Sequence, residues 1–249
     1  MFAKIFGYGP KYVGPGRIDF AAAGLPEYTN CYATVLDSLF SKQELSAILA
    51  AGEASSPSGW QIAQLNNDAG SAYAVTDTSH RKGQRIMYDS VDLSEHIFER
   101  IRPHLGDIEE VEEAVYFEDQ KAVQKWRMVR MNERLRFLRY PKGGFFKKHI
   151  DTCSKDASTG QKTFYTVQFY LPSDSSGSDD SFLSATGGTT RFLGDTGIHA
   201  DVKAIPGRVL VFQHAKLLHT GEEVTKGVKC TVRCDIFYEK IGDPVVVEE

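Results

Sequence analysis

The run LRFLRYPKGGFFKKHID, residues 135–151, governs the reading of the whole chain. Aromatic and aliphatic residues recur on both sides of Pro141-Lys142-Gly143-Gly144, which reads as two strands joined by a tight turn. The second run ends on His149-Ile150-Asp151. In a strand, positions i and i+2 point the same way, so His149 and Asp151 present an imidazole and a carboxylate to one side. Together they can grip a metal ion from one side, and a third ligand must come from elsewhere.

The best candidate for that ligand is His219, in VFQHAKLLHTGEEV (residues 211–224), just past another strong strand pattern. His214 competes with it from the end of the same strand. Two histidines and one carboxylate on one face of an ion, with the other face open, is the donor set of non-haem Fe(II) oxygenases. A His-x-Asp triplet alone is short enough to arise by chance. Its context has to carry the rest.

The chain has 249 residues, enough for one domain with a large core. With 41% hydrophobic and 25% charged residues it has the composition of an ordinary globular protein. Net charge is −4 and no Lys/Arg cluster is dense enough for a nucleic-acid surface. The N-terminus lacks the apolar stretch of a signal peptide, and no apolar run is long enough to cross a bilayer, so a cytoplasmic protein is expected. The 4 cysteines (Cys31, Cys153, Cys230, Cys234) match neither a disulfide framework nor a zinc site and read as free thiols.

Residues 1–30, rich in Gly, Pro and Tyr, read as a surface arm. Ser41 with Glu44 forms a capping box and Gly52 a stop, predicting a helix over 42–51. Asp92 with Glu95 opens a second helix that Pro103 ends, and the acidic segment 106–125 reads as a loop or short helix. From Trp126 onward, the runs 126–140, 145–151, 163–171, 189–193, 208–214 and 228–239 are strand-like, and the Ser/Asp-rich connector 172–188 reads as a mobile loop over or beside a site. Helices first and short strands afterwards predict an α+β, mainly β protein with an antiparallel sandwich or jelly roll in its second half.

The blocks R-Y-x-x-G-G-x-F-x-x-H-x-D (139–151), TFYTVQFYL (163–171), GGTTRF (187–192), PGRVLVF (206–212) and HTGEEVTKGVK (219–229) are far more specific in this order than the triplet. They resemble the prolyl 4-hydroxylase-like branch of the 2-oxoglutarate- and Fe(II)-dependent oxygenases, strongly over 126–240. The resemblance implies a double-stranded β-helix (jelly roll) with the N-terminal helices packed on one sheet. The whole of 1–249 is then one catalytic domain, with 1–125 as arm and supporting helices, 126–240 as core and 241–249 as tail. It further implies His149, Asp151 and His219 as iron ligands, and Lys229 as the cation for the distal carboxylate of 2-oxoglutarate. Tyr140 and Thr166 match hydroxyl donors to that carboxylate. O2 is the second co-substrate and ascorbate a candidate reductant.

Strand alternation bears on the same assignment. Lys229, Thr231, Arg233 and Asp235 share one face of the last strand, and two cations on an inward face call for an anion. Arg233 therefore competes with Lys229 for the distal carboxylate, or meets an acidic group of the substrate. Parity also makes Asn132, Arg136 and Gln168 candidates to line a substrate pocket, with Tyr170 beside them, while Arg85 either reaches its mouth or lies in solvent. His80, His96, His104 and His199 read as ordinary surface residues, and Gly143-Gly144 and Gly187-Gly188 as turns rather than phosphate loops.

The resemblance implies oxidation, most simply hydroxylation, of a C–H bond, with 2-oxoglutarate converted to succinate and CO2. The carboxylate ligand Asp151 favours this over halogenation, and desaturation and ring closure stay open. Arginines near the predicted mouth favour a small, carboxylate-bearing substrate. The alternatives are a prolyl hydroxylase of peptides or proteins, and a jelly-roll binding or sensor protein without chemistry.

Overall fold

The computed structural model describes residues 11–63, 77–117 and 119–247. Two sheets face each other. The larger runs, in spatial order, through Gly16–Arg17, Ala33–Leu36, Val209–Gln213, Lys162–Leu171, Val228–Val246, Arg134–Pro141, Gln84–Asp89 and Gln61–Ile62. The smaller runs through Lys11–Tyr12, His199–Val202, Thr190–Leu193, His219–Gly221, Phe145–His149 and Arg81–Lys82. This is the expected jelly roll, and strand alternation divides its larger sheet into two environments. Cys230, Val232 and Cys234 face a hydrophobic cluster with the helices, while Lys229, Thr231, Arg233 and Asp235 face a cavity between the sheets.

Both N-terminal helices cover the outer face of the larger sheet. Helix α1 (Lys42–Ala54) opens with the predicted capping box of Ser41 and Glu44 but runs through Gly52. That glycine is a packing device: a Cβ there would stand 2.5 Å from the Phe137 ring. Helix α2 (Val91–Ile101) starts earlier than Asp92 predicts, because Ser90 caps it by accepting from the Leu93 N–H. Leu45, Ile48 and Leu49 of α1 and Ile97, Phe98 and Ile101 of α2 pack with Phe137, Phe169 and Ile236 of the sheet.

Four expectations are corrected. Residues 18–28 are no surface arm: Ile18, Phe20, Leu25 and Tyr28 are buried with Phe192 and Phe212, filling the space between the sheets. Gly and Pro here serve tight turns around an apolar plug. The segment 106–125 is mostly two paired strands, Glu110–Phe117 and the start of Gln120–Met131, whose exposed Glu110 and Glu112 meet Arg127 and Lys125 across the ladder. The predicted strand 126–140 is two strands, separated by a turn at Asn132 and Glu133, and the last strand continues to Val246. The connector 172–188 lies on α1, through Ser175 to Glu53 at 2.8 Å and Lys42 to Asp179 at 2.7 Å, and none of it lines the cavity.

Candidate metal centre and co-substrate cavity

His149 ends the strand Phe145–His149, Asp151 follows it, and His219 opens the neighbouring antiparallel strand, directly opposite His149. One ligand atom from each of the three lies within 4.8 Å of the others. Each imidazole is oriented by its own backbone. His149 Nδ1 lies 2.8 Å from the Lys147 carbonyl and His219 Nδ1 3.0 Å from the Leu217 carbonyl. A carbonyl only accepts, so each Nδ1 carries the proton and each Nε2 lone pair is left for a metal.

The charge states agree. Burial, helped by the neighbouring His219, pushes the His149 imidazole down to about 3, and burial also lowers His219. Both are neutral donors at ordinary pH. Burial alone would favour a protonated Asp151, yet the adjacent Arg233 guanidinium, with the Thr166 hydroxyl donating to it, holds its carboxyl well below the usual range. Two neutral nitrogens and one carboxylate oxygen converge on one point, a set that fits Fe(II). Phe146 stacks on His149 with centroids 3.8 Å apart, and Phe212 meets His219 edge-on at 4.8 Å, so apolar rings fix both ligands. His214 is not part of the group; it is buried 3.4 Å from Asp235.

The cavity beside this centre has a volume of about 620 Å³ and is lined by His149, Asp151 and His219 together with a strongly cationic wall. Lys229 and Tyr140 pair across adjacent strands at one end. The Lys229 ammonium is buried, 5.7 Å from the Tyr140 ring and 5.6 Å from the Tyr170 ring, and no carboxylate among the described residues comes within ion-pair distance. Burial pushes its pKa down to about 7.

Arg233 differs: its Nη2 lies 3.1 Å from Asp151 Oδ1 and 3.4 Å from Asp235 Oδ1. Burial opposes its charge, but these two carboxylates outweigh that and raise its pKa. Its charge is already matched by protein. Thr166 corrects the sequence expectation, since its hydroxyl donates to Asp151 Oδ2 at 2.6 Å. It pairs with Asp235, six residues along the strand from Lys229. At about 3.3 Å per residue that is roughly 20 Å. One carboxylate cannot meet both side chains.

Of the candidate substrate residues, Arg85, Arg136 and Gln168 line the cavity. Arg136 reaches Asp235 at 2.9 Å, and Gln168 donates to Thr190 Oγ1 at 2.7 Å. Asn132 is a correction: it sits in the turn before Arg134, accepting from that residue's N–H at 3.0 Å, and takes no part in the cavity. His80, read as a surface residue, lines the cavity, as do Arg81, Thr190, Thr231 and Glu222. Only the pairing of Arg81–Lys82 with Phe145 and Phe146 brings the first two there, a long-range contact with no local signature.

Jelly roll, ligand set and cationic cavity together define an oxygenase of the non-haem iron class. Residues 135–236 match the model of the 2OG-Fe(II) oxygenase superfamily. The matched stretch contains all three ligands, and with that ligand set it makes the chain a 2-oxoglutarate-dependent Fe(II) dioxygenase, with Fe(II), 2-oxoglutarate and O2 as its cofactor set.

Among solved structures, a prolyl-4-hydroxylase from Pseudomonas putida is similar with a TM-score of 0.54 at 14% identity, covering 88% of this chain and 98% of that one. A prolyl hydroxylase in complex with a hypoxia inducible factor oxygen degradation domain peptide fragment, from Trichoplax adhaerens, has a TM-score of 0.54 at 13% identity, covering 88% and 90%. An oxidoreductase of the 2OG-Fe(II) oxygenase family from Burkholderia pseudomallei has a TM-score of 0.50 at 14% identity, covering 92% and 95%. At these identities the likeness is one of fold. No curated protein matches the chain. No helix among the described residues is long and apolar enough to cross a membrane.

Proposed function

We propose that this dioxygenase hydroxylates a C–H bond of a small, carboxylate-bearing substrate, with His149, Asp151 and His219 holding the iron and Lys229 with Tyr140 holding the distal carboxylate of 2-oxoglutarate. When bound, Fe(II) and 2-oxoglutarate supply O2-dependent oxidation with release of succinate and CO2. The chain's own groups do the rest. The backbone carbonyls of Lys147 and Leu217 orient the imidazoles, and Arg233 with Thr166 keeps the Asp151 carboxylate ionised and aimed. The apolar rings of Phe146 and Phe212 keep water from the ligands' flanks.

One observation carries the substrate reading. Arg85, Arg134 and Arg136 line the cavity with Arg81, Lys229 and Arg233, six cations against the three carboxylates of Asp151, Glu222 and Asp235, and burial together with repulsion from Arg81 and Arg136 lowers the pKa of Arg85. Even with Arg134 held by Asp89 and Arg136 by Asp235, that surplus of positive charge in one cavity favours an anion. A second reading, hydroxylation of a prolyl residue in a peptide, is favoured by the fold shared with the peptide-bound Trichoplax adhaerens prolyl hydroxylase. The test is substrate-dependent succinate release over a panel of free amino acids, small mono- and dicarboxylic acids and proline-containing peptides. Turnover with small acids supports the first reading; turnover confined to the peptides establishes the second.

A further inference from the structure

Arg81 belongs to none of the roles assigned above. It sits in a two-residue strand at the edge of the smaller sheet, opposite Phe146, in the N-terminal half of the chain. Its guanidinium reaches across the cavity wall to Tyr140, with Nε 3.2 Å and Nη2 2.9 Å from the phenol oxygen. The same group lies 4.5 Å over the Phe146 ring, whose plane stacks on His149. Among the described residues no carboxylate comes within ion-pair distance of Arg81, and the same holds for Lys229.

The Tyr140 phenol therefore lies beside two cations with no carboxylate at ion-pair distance among the described residues; Glu222, the cavity carboxylate whose charge acts on Lys229, is itself paired with Arg191 at 2.9 Å. A partly buried cation without an anion is costly, and two beside one hydroxyl are more so. The hydrogen-bond inventory adds a direction. The Tyr140 oxygen accepts from Arg81, so its single O–H proton is left to point elsewhere. Accepting from a cation also strengthens a hydroxyl as a donor. A carboxylate placed here would receive the phenol proton, the ammonium of Lys229 and the field of Arg81.

Building on the co-substrate site named under Proposed function, we infer that Arg81 is a specificity-determining residue of that site. It positions Tyr140 as a donor and adds the second positive charge that makes a charged distal end obligatory. The N-terminal segment is then a working part of the co-substrate pocket.

The test measures anaerobic binding of 2-oxoglutarate and of 2-oxopentanoate, which has the same 2-oxo acid end but no distal carboxylate, to Fe(II)-loaded protein. Iron affinity is measured separately by chelator competition. In Arg81→Gln the Kd for 2-oxoglutarate should rise about ten- to a hundred-fold, the range for losing a charge-assisted bond. The Kd for 2-oxopentanoate should stay within about twofold, and Arg81→Lys should recover part of the loss. A purely structural role, exerted through Phe146 on His149, would weaken both ligands and iron together, and that result overturns the inference. So does unchanged 2-oxoglutarate binding in both Arg81 variants. If Arg81→Gln does not fold, Arg81→Lys and Tyr140→Phe carry the same comparison. The underlying site reading fails separately, and takes the inference with it, if wild type does not prefer 2-oxoglutarate or if Lys229→Met keeps that preference intact.

Discussion

Lys229 and Arg233 stand on one face of one strand, yet among the described residues only Arg233 has a carboxylate at ion-pair distance, with its Nη2 3.1 Å from Asp151 Oδ1. Two cations in similar sequence settings thus receive different tasks. Arg233 balances the carboxylate of the metal centre, and Lys229 is left for an incoming anion. Each assignment leads to a measurable consequence.

The metal centre is the first. Replacing His219 with Ala should lower Fe(II) affinity by at least about a hundredfold, since even residues behind a ligand are worth ten- to a hundredfold. His214→Ala should leave iron binding near wild type, because that imidazole lies beside Asp235 and outside the ligand group. Chelator competition on purified variants checks both. Equal losses would return His214 to contention.

Removing the charge of Arg233 exposes the cost of the carboxylates around it. Arg233→Met leaves Asp151 and Asp235 buried with less cationic compensation, and breaking a buried pair in this way costs about 3–5 kcal/mol. Urea unfolding of the iron-free protein should show this loss. Added Fe(II) should recover part of it, because the ion supplies positive charge to the same carboxylate. A variant as stable as wild type without metal would contradict the assignment.

Lys229 links pH to co-substrate binding. Its pKa in the free protein is pushed down to about 7 by burial, and a bound carboxylate raises it again. The Kd for 2-oxoglutarate should be flat below about pH 7 and climb by up to about tenfold per pH unit above it. Lys229→Arg should flatten the climb. The stability of the free protein should move the other way. An unfolded lysine holds its proton up to about 10.4, so between about pH 7 and that value the unfolded chain binds more protons and folding stability rises with pH. Titrations from pH 6 to 9 at constant ionic strength test the binding arm, and unfolding curves over the same range test the other.

Gly52 offers a test of the fold rather than the chemistry. Alanine in a helix interior gains about 1 kcal/mol over glycine. Here its Cβ would stand 2.5 Å from the fully buried Phe137 ring, and overpacking of that kind costs about 1–3 kcal/mol. The second effect should win, so Gly52→Ala should lower the unfolding midpoint. A rise would mean that the ring yields readily.

How much of this was legible in the chain depends on the range of the interaction. His149 and Asp151 share a strand face, Ser41 caps the residues just after it, and Lys229 to Asp235 alternate along one strand; each is a consequence of local geometry that side-chain order alone determines. The iron set and the jelly roll followed from such patterns together with the family resemblance. The rest was decided by pairings between distant segments, which no local period encodes. Register across the larger sheet put the Thr166 hydroxyl on Asp151 instead of beside Lys229. Packing turned residues 18–28 from a supposed arm into core, and gave Gly52 a ring to meet rather than a helix to end. Arg81 enters the cavity only because its short strand pairs with Phe145 and Phe146, and the energy of an unpaired cation there depends on what the tertiary structure places around it.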